Sequence, residues 1–168
     1  LFNRSVNLDL FYPPFLERLL ELKARCEARG SRYLCTFGFR TTEESDSMHA
    51  RFLAGGPRAA RGGYSSHNFG LASDEALIVT ETPRRVVSWG SKDNKVFEVL
   101  GEEAQKLGLH WGANYSDEPH VSWPGFVSGA ELASLRGIWA VNSKCALMER
   151  LEHVWAYVDS HSQPMPKL

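Results

Sequence analysis

The run Ser65-Ser66-His67-Asn68-Phe69-Gly70-Leu71-Ala72-Ser73-Asp74, taken with Asp117-Glu118-Pro119-His120, constrains this chain more than any other feature. Two imidazoles and a carboxylate make a ready set of three ligands for one divalent ion. A fold that uses them together must carry residue 120 back against residues 67 and 74. Three protein ligands leave a tetrahedral zinc one open position for water, which is the arrangement of a catalytic site rather than a structural one. Gly70 lies between His67 and Asp74 and permits a sharp turn, so the chain can leave His67 in a loop and enter a strand by Asp74. On that strand Asp74, Ala76 and Ile78 share a face, and a carboxylate among apolar neighbours is costly to bury unless a cation neutralises it. Pro119 stiffens the approach to His120. Asp117, three positions before His120, is a spare carboxylate that can take a proton from ion-bound water, whose pKa such a site lowers to roughly 7. Glu118 is the rival base; adjacent to Asp117, it is expected to point to the other side. His49, His110, His153 and His161 receive no ligand role.

The rest of the composition narrows the surroundings of that site. A length of 168 residues suits one domain, 1–168, and 43% hydrophobic with 23% charged residues suits a chain that buries a core. A formal net charge of −1 argues against nucleic acid as a partner, because such binders carry a basic surplus. Cys26, Cys35 and Cys145 are widely spaced and none forms a C-x-x-C pair, so neither a disulfide framework nor a cysteine zinc site is expected. Cys26 and Cys35 fall in apolar patterns and read as buried thiols. The N-terminal residues show no basic region followed by an apolar run, so no signal peptide is expected, although the first residue is Leu rather than Met. No apolar stretch approaches the ~20 residues of a membrane span.

Hydrophobic periodicity organises the chain. Phe15, Leu19, Leu22 and Cys26 fall on one helical face between Pro13 and about Ala28, with prolines in the first turn and Gly30 at the stop. Tyr33, Cys35, Phe37 and Phe39 alternate with Leu34, Thr36 and Gly38, which predicts a strand. Thr41 and Glu44 predict a capping box for a helix running to about Leu53. The glycine-rich stretch 55–63 reads as a loop. Leu71 to Thr80 and Arg85 to Trp89 are strand-like, with a turn at Lys92-Asp93-Asn94. Phe97, Leu100, Ala104 and Leu107 mark a helix closed by Gly108, and residues 109–121 read as a loop or short strand. Ser128 and Glu131 suggest a second capping box before a short helix. Leu147, Leu151, Val154 and Val158 line a last helix expected to start near Asn142. Helices in both halves with short motif-bearing strands between them predict an α+β domain. Its motif-bearing core covers about residues 30–125 and its C-terminal helical part about 128–160.

At the residues just described the chain resembles the zinc D-Ala-D-Ala carboxypeptidase and L-Ala-D-Glu endopeptidase family. The family pattern Ser-x-His-x-x-Gly-x-Ala-x-Asp is met by Ser65, His67, Gly70, Ala72 and Asp74. Its second pattern, an acidic residue followed at the third position by His, is met by Asp117 and His120. The Asp-x-Pro-His form and the upstream Trp111-Gly112 look like the phage endolysin branch. Gly38-Phe39-Arg40-Thr41 looks like the family's Gly-Tyr-Arg-Ser segment. Three positions depart from the pattern: only Ala113 to Ser116 separate Trp-Gly from the acid, Val121 follows His120, and Ser73 precedes Asp74.

The resemblance implies a Hedgehog/DD-peptidase-like fold, a small antiparallel sheet flanked by helices. It implies one zinc ion on His67, Asp74 and His120, Asp117 as the catalytic base, and Arg40 as the cation facing charge that builds on the substrate carbonyl. It places Ser65 at the rim, bonding substrate or a ligand. The implied activity is hydrolysis of the L-Ala-D-Glu bond in the stem peptide of peptidoglycan by a monomer. Such an enzyme is made in the host cytoplasm and acts on the wall after release. The alternatives are a bacterial D,D- or L,D-carboxypeptidase of cell-wall peptides, and a non-catalytic zinc-bearing wall-binding module.

Overall fold

Tyr12 leads into a helix because Pro13 and Pro14 occupy its first two positions, where a missing N–H costs nothing. In the computed structural model, which describes residues 1–89 and 95–168, this helix is α1 (Pro13–Ala28). The expected face of Phe15, Leu19, Leu22 and Cys26 is fully buried. Burying each of the three larger side chains contributes about 1.5–3 kcal/mol of transfer free energy. Arg18 is buried with them and donates to the carbonyl of Leu107 at 2.8 Å, closing the end of the helix against which α1 packs.

The strand predicted next is β1 (Tyr33–Phe37), but its alternation is not what the sequence suggested. Tyr33, Leu34, Cys35 and Thr36 are all buried, whereas Phe37 is 52% exposed. Two causes are visible. The N-terminal residues cover the outer edge of β1: Asn3 N–H donates to Cys35 O at 2.8 Å and Cys35 N–H to Leu1 O at 3.0 Å. A bulge between Cys35 and Phe37 then turns Phe37 outward and ends the strand before Phe39. The helix α2 (Thr42–Leu53) follows, opened by the predicted capping box, in which Glu44 N–H donates to Thr41 Oγ1 and Thr41 N–H to Glu44 Oε2.

The long strand β2 (Ala72–Thr80) is the spine of the sheet. One of its edges carries β1; the other carries β3 (Val86–Ser88) towards one end and β5 (His120–Ser122) towards the other, with β4 (His110–Trp111) outside β5. All these pairings are antiparallel. Between β3 and β4 lies α3 (Glu98–Lys106), followed by Gly108 as predicted. The turn expected at Lys92-Asp93-Asn94 lies outside the described residues.

The C-terminal part corrects one expectation. Its last helix does not start near Asn142: α4 (Leu132–Val141) ends there and α5 (Leu147–His161) begins five positions later. Asn142 closes α4 by donating from Nδ2 to Ile138 O at 2.8 Å, a local bond that competes with helix continuation. Leu147 is consequently an exposed first residue, while Leu151, Val154 and Val158 are buried as expected. Ahead of α4, Ser128 and Glu131 exchange the predicted reciprocal bonds. The faces of α1, α3, α4 and α5 meet the sheet residues Tyr33, Cys35 and Val121 in one buried apolar cluster. The architecture is α+β with a small antiparallel sheet. No helix among the described residues is long and apolar enough to cross a membrane.

Candidate metal centre and catalytic cleft

The register of β2 against β5 places Asp74 directly opposite His120. Their side chains therefore leave the sheet on the same face as neighbours. His67 reaches them from a short 3-10 turn, Ser66–Phe69, whose N–H at His67 is accepted by Ser65 Oγ at 3.3 Å. Gly70 ends that turn at φ 69, and a Cβ there would lie 2.2 Å from Leu10 O. No other residue fits both conditions. Asp74 Oδ1 ends 3.2 Å from His67 Nε2 and 3.2 Å from His120 Nδ1, and the ligand atoms of the three residues lie within 4.8 Å of one another.

The proton inventory shows that this group suits a cation. His67 Nδ1 sits 2.7 Å from Gly38 O, which can only accept, so Nδ1 carries a hydrogen. In the neutral imidazole Nε2 then presents a lone pair to Asp74 Oδ1, itself an acceptor. Two acceptors at 3.2 Å require positive charge between them, a proton or a metal ion. Burial alone would raise the Asp74 carboxyl. The charge of His67 and the hydrogen bonds from His120 and His67 outweigh it and hold the group well below the usual carboxylate range. Asp74 is thus an anion poised for a cationic partner, and Gly38 O orients the His67 ring for it.

The three residues open onto a cavity of about 660 Å³ that Arg40, Ser65 and Asp117 also line. All six residues singled out in the sequence come together there. Arg40 Nη2 stands 3.8 Å from Asp74 Oδ2, and its main-chain N–H donates to His67 O at 3.1 Å, tying the two segments. Of the two adjacent acids, Asp117 lines the cavity and Glu118 does not. Crowding by the cleft walls pushes the Asp117 carboxyl above its ordinary value; the nearby imidazoles oppose that shift and Asp74 adds to it. Ser65 serves the turn through its own hydrogen bond while facing the same space.

Several supporting residues escaped the sequence reading. Asn68 is wholly buried and clasps three segments. The two hydrogens of its Nδ2 are shared among Arg40 O at 2.8 Å, Thr41 O at 3.1 Å and Ser45 Oγ at 2.8 Å, and its Oδ1 accepts from Gly63 N–H at 3.0 Å. Gly112 seats the Asp117 turn so closely that a Cβ would meet Asp117 O at 2.2 Å. Trp111 Nε1 donates to Glu118 O at 2.7 Å and braces the same turn from outside. The departures at Ser73 and Val121 also acquire reasons. Ser73 Oγ donates to the buried Glu75, which pairs with Lys23 at 2.5 Å, and Val121 is fully buried in the core. A second set of donors, Cys145, Glu149 and His153, lies at the surface around the start of α5 and lines neither this cavity nor its neighbour.

Residues 58–123, which hold His67, Asp74, Asp117 and His120, match the family model described as D-alanyl-D-alanine carboxypeptidase. This match covers the part of the chain that carries the ligand residues. The chain is also similar to the peptidoglycan L-alanyl-D-glutamate endopeptidase CwlK of Bacillus subtilis (strain 168), with 34% identity over 113 residues. That similarity covers 60% of this chain and 65% of CwlK. Among solved structures, the L-Ala D-Glu endopeptidase ChiX of Serratia marcescens superposes with a TM-score of 0.47 at 20% identity, covering 73% of this chain and 89% of ChiX. The His-Asp-His group falls within the stretch of similarity to the family model.

Proposed function

We propose that this chain is a zinc-dependent peptidoglycan peptidase that hydrolyses the bond between L-Ala and D-Glu of the stem peptide. The observation that carries the reading is the convergence of His67, Asp74 and His120 at the floor of a cavity that also presents one spare acid and one cation. His67, Asp74 and His120 would hold the metal, and two imidazoles with one carboxylate are a donor set suited to zinc. When bound, zinc supplies Lewis acidity for the scissile carbonyl and acidifies water. Asp117 takes a proton from the attacking water at a carboxylate oxygen and later delivers it to the departing nitrogen. Its raised pKa suits both halves of that exchange. Arg40 faces the oxygen on which negative charge accumulates, and such fixed electrostatic support is often the largest catalytic contribution. Gly38 O and Asn68 hold His67 and Arg40 in place throughout.

The similarity to CwlK supports the L-Ala-D-Glu bond as the target. The family model's own description favours a second reading, release of a terminal D-Ala by a carboxypeptidase. Digestion of purified sacculi, with mass analysis of the products, separates the two. Cleavage at L-Ala frees the whole stem peptide from the glycan, whereas a carboxypeptidase releases single D-Ala residues. Chelation of the metal should abolish either reaction, and zinc should restore it. Sacculi left intact by the zinc-loaded protein would refute both. We further place the activity in a phage-endolysin-like setting, where a monomer made in the cytoplasm acts on the wall after release. The Asp-x-Pro-His form at Asp117–His120 and the Trp111-Gly112 pair support that placement.

A further inference from the structure

We infer that Arg58 is the receptor for a free carboxylate of the substrate next to the scissile bond, and so selects an acidic peptide over its amidated form. The inference rests on the peptidase reading above. The loop 55–63 brings Arg58, Ala59 and Ala60 into the wall of the cleft that holds the metal ligands. That stretch is pinned rather than loose. Ala59 O accepts from His49 Nδ1 at 2.8 Å, Gly62 N–H donates to Asp46 Oδ1 at 2.7 Å, and Gly63 N–H donates to Asn68 Oδ1 at 3.0 Å. Arg58 is therefore presented from a fixed frame just before the first of these anchors.

The other guanidinium groups around the cleft are already engaged. Arg40 faces Asp74. Arg61 stacks on the Tyr64 ring at 4.1 Å and donates to its hydroxyl. Arg136 also stacks on Tyr64, at 3.9 Å, and donates to Gly129 O at 3.0 Å. Among the described residues, no carboxylate lies within 4.0 Å of Arg58. A glutamyl residue has two carboxyl groups; one continues the peptide and the other stays free. Entering a cleft that already holds Asp74 and Asp117, a free carboxylate meets repulsion unless a cation receives it. An arginine fork matches carboxylate geometry with two parallel hydrogen bonds, which a carboxamide cannot reproduce.

The test compares two synthetic muramyl peptides, one with L-Ala-D-Glu bearing its free carboxylate and one with that group as the carboxamide. Wild-type protein should favour the acid in kcat/KM by roughly tenfold, a modest ratio because Arg58 is exposed and screened. Arg58→Met should erase the preference through a raised KM for the acid alone, and Arg58→Lys should restore part of it. Thermal melts and bound zinc should match wild type in both variants. A preference that survives in Arg58→Met overturns the inference, as does a wild type that cleaves both peptides equally; in those cases the peptidase reading stands. A zinc-loaded wild type that cleaves neither peptide removes the peptidase reading itself and this one with it.

Discussion

Replacing Asn68 by Ala tests whether the site is held by a buried polar clasp rather than by its ligands. The substitution removes two Nδ2 hydrogens shared among Arg40 O, Thr41 O and Ser45 Oγ and the Oδ1 that accepts from Gly63 N–H, about three full hydrogen bonds, in a place with no exposure to solvent. At a net ~1 kcal/mol per bond the loss is about 3 kcal/mol. That is a large share of the 5–15 kcal/mol typical of a domain. Asn68→Asp should be worse still. It keeps an acceptor for Gly63 N–H but turns an anion towards two carbonyl oxygens that can only accept. Urea unfolding in the presence of a chelator measures both variants without a contribution from bound metal, with an unchanged m value as the check that the comparison is valid. The expected order of midpoints is wild type, then Ala, then Asp. An Asn68→Ala loss below about 1 kcal/mol, or an Asp variant as stable as wild type, would refute the clasp.

Further outcomes follow at three positions of the site. Asp117→Asn should keep zinc and lose about 10²–10⁴-fold in turnover, read by metal analysis beside a cleavage assay. The Asp117 carboxyl lies above its unfolded value, so in metal-free protein it favours the fold when protonated and opposes it once ionised; the Asn variant should therefore have a higher urea midpoint at neutral pH. Asp74 has the opposite sign. Its depressed carboxyl stabilises metal-free protein above the unfolded pKa of about 3.9, and that stability drains away as pH falls below it, a slope that Asp74→Ala should flatten. Gly70→Ala costs about 1–2 kcal/mol for its left-handed backbone alone, and the overlap with Leu10 O adds to it. Zinc titration should show weakened binding because His67 is displaced; unchanged affinity and stability would show that the turn does not set the ligand.

The convergence of His67, Asp74 and His120 was legible because its chemistry is local in type even though it is distant in sequence. Two histidines, an aspartate, a turn glycine and a spare acid carry their meaning in side-chain identity. Helices α1 and α2 were legible for a similar reason, since prolines, a capping box and a 3.6-residue period are written within a dozen positions. What escaped depends on partners far along the chain. Asn68 reads as an ordinary loop residue until residues 40, 41, 45 and 63 surround it. The burial of Leu34 and Thr36 arises from the N-terminal segment laid along β1, and the outward turn of Phe37 from a bulge, neither of which alternation encodes. The last helix was expected too early, near Asn142, because Asn142 ends α4 by a side-chain bond to its own backbone and α5 begins only at Leu147. Arg58 and Arg61 are alike in the sequence; only the structure shows that Arg61 is taken up by the Tyr64 ring while Arg58 lines the cleft.

Because Asp74 and His120 face each other across two strands, a slip of one residue between β2 and β5 would set Ser73 or Glu75 against His120 and turn one donor to the opposite side of the sheet. Any metal bound by this group would therefore report that the two strands are correctly aligned.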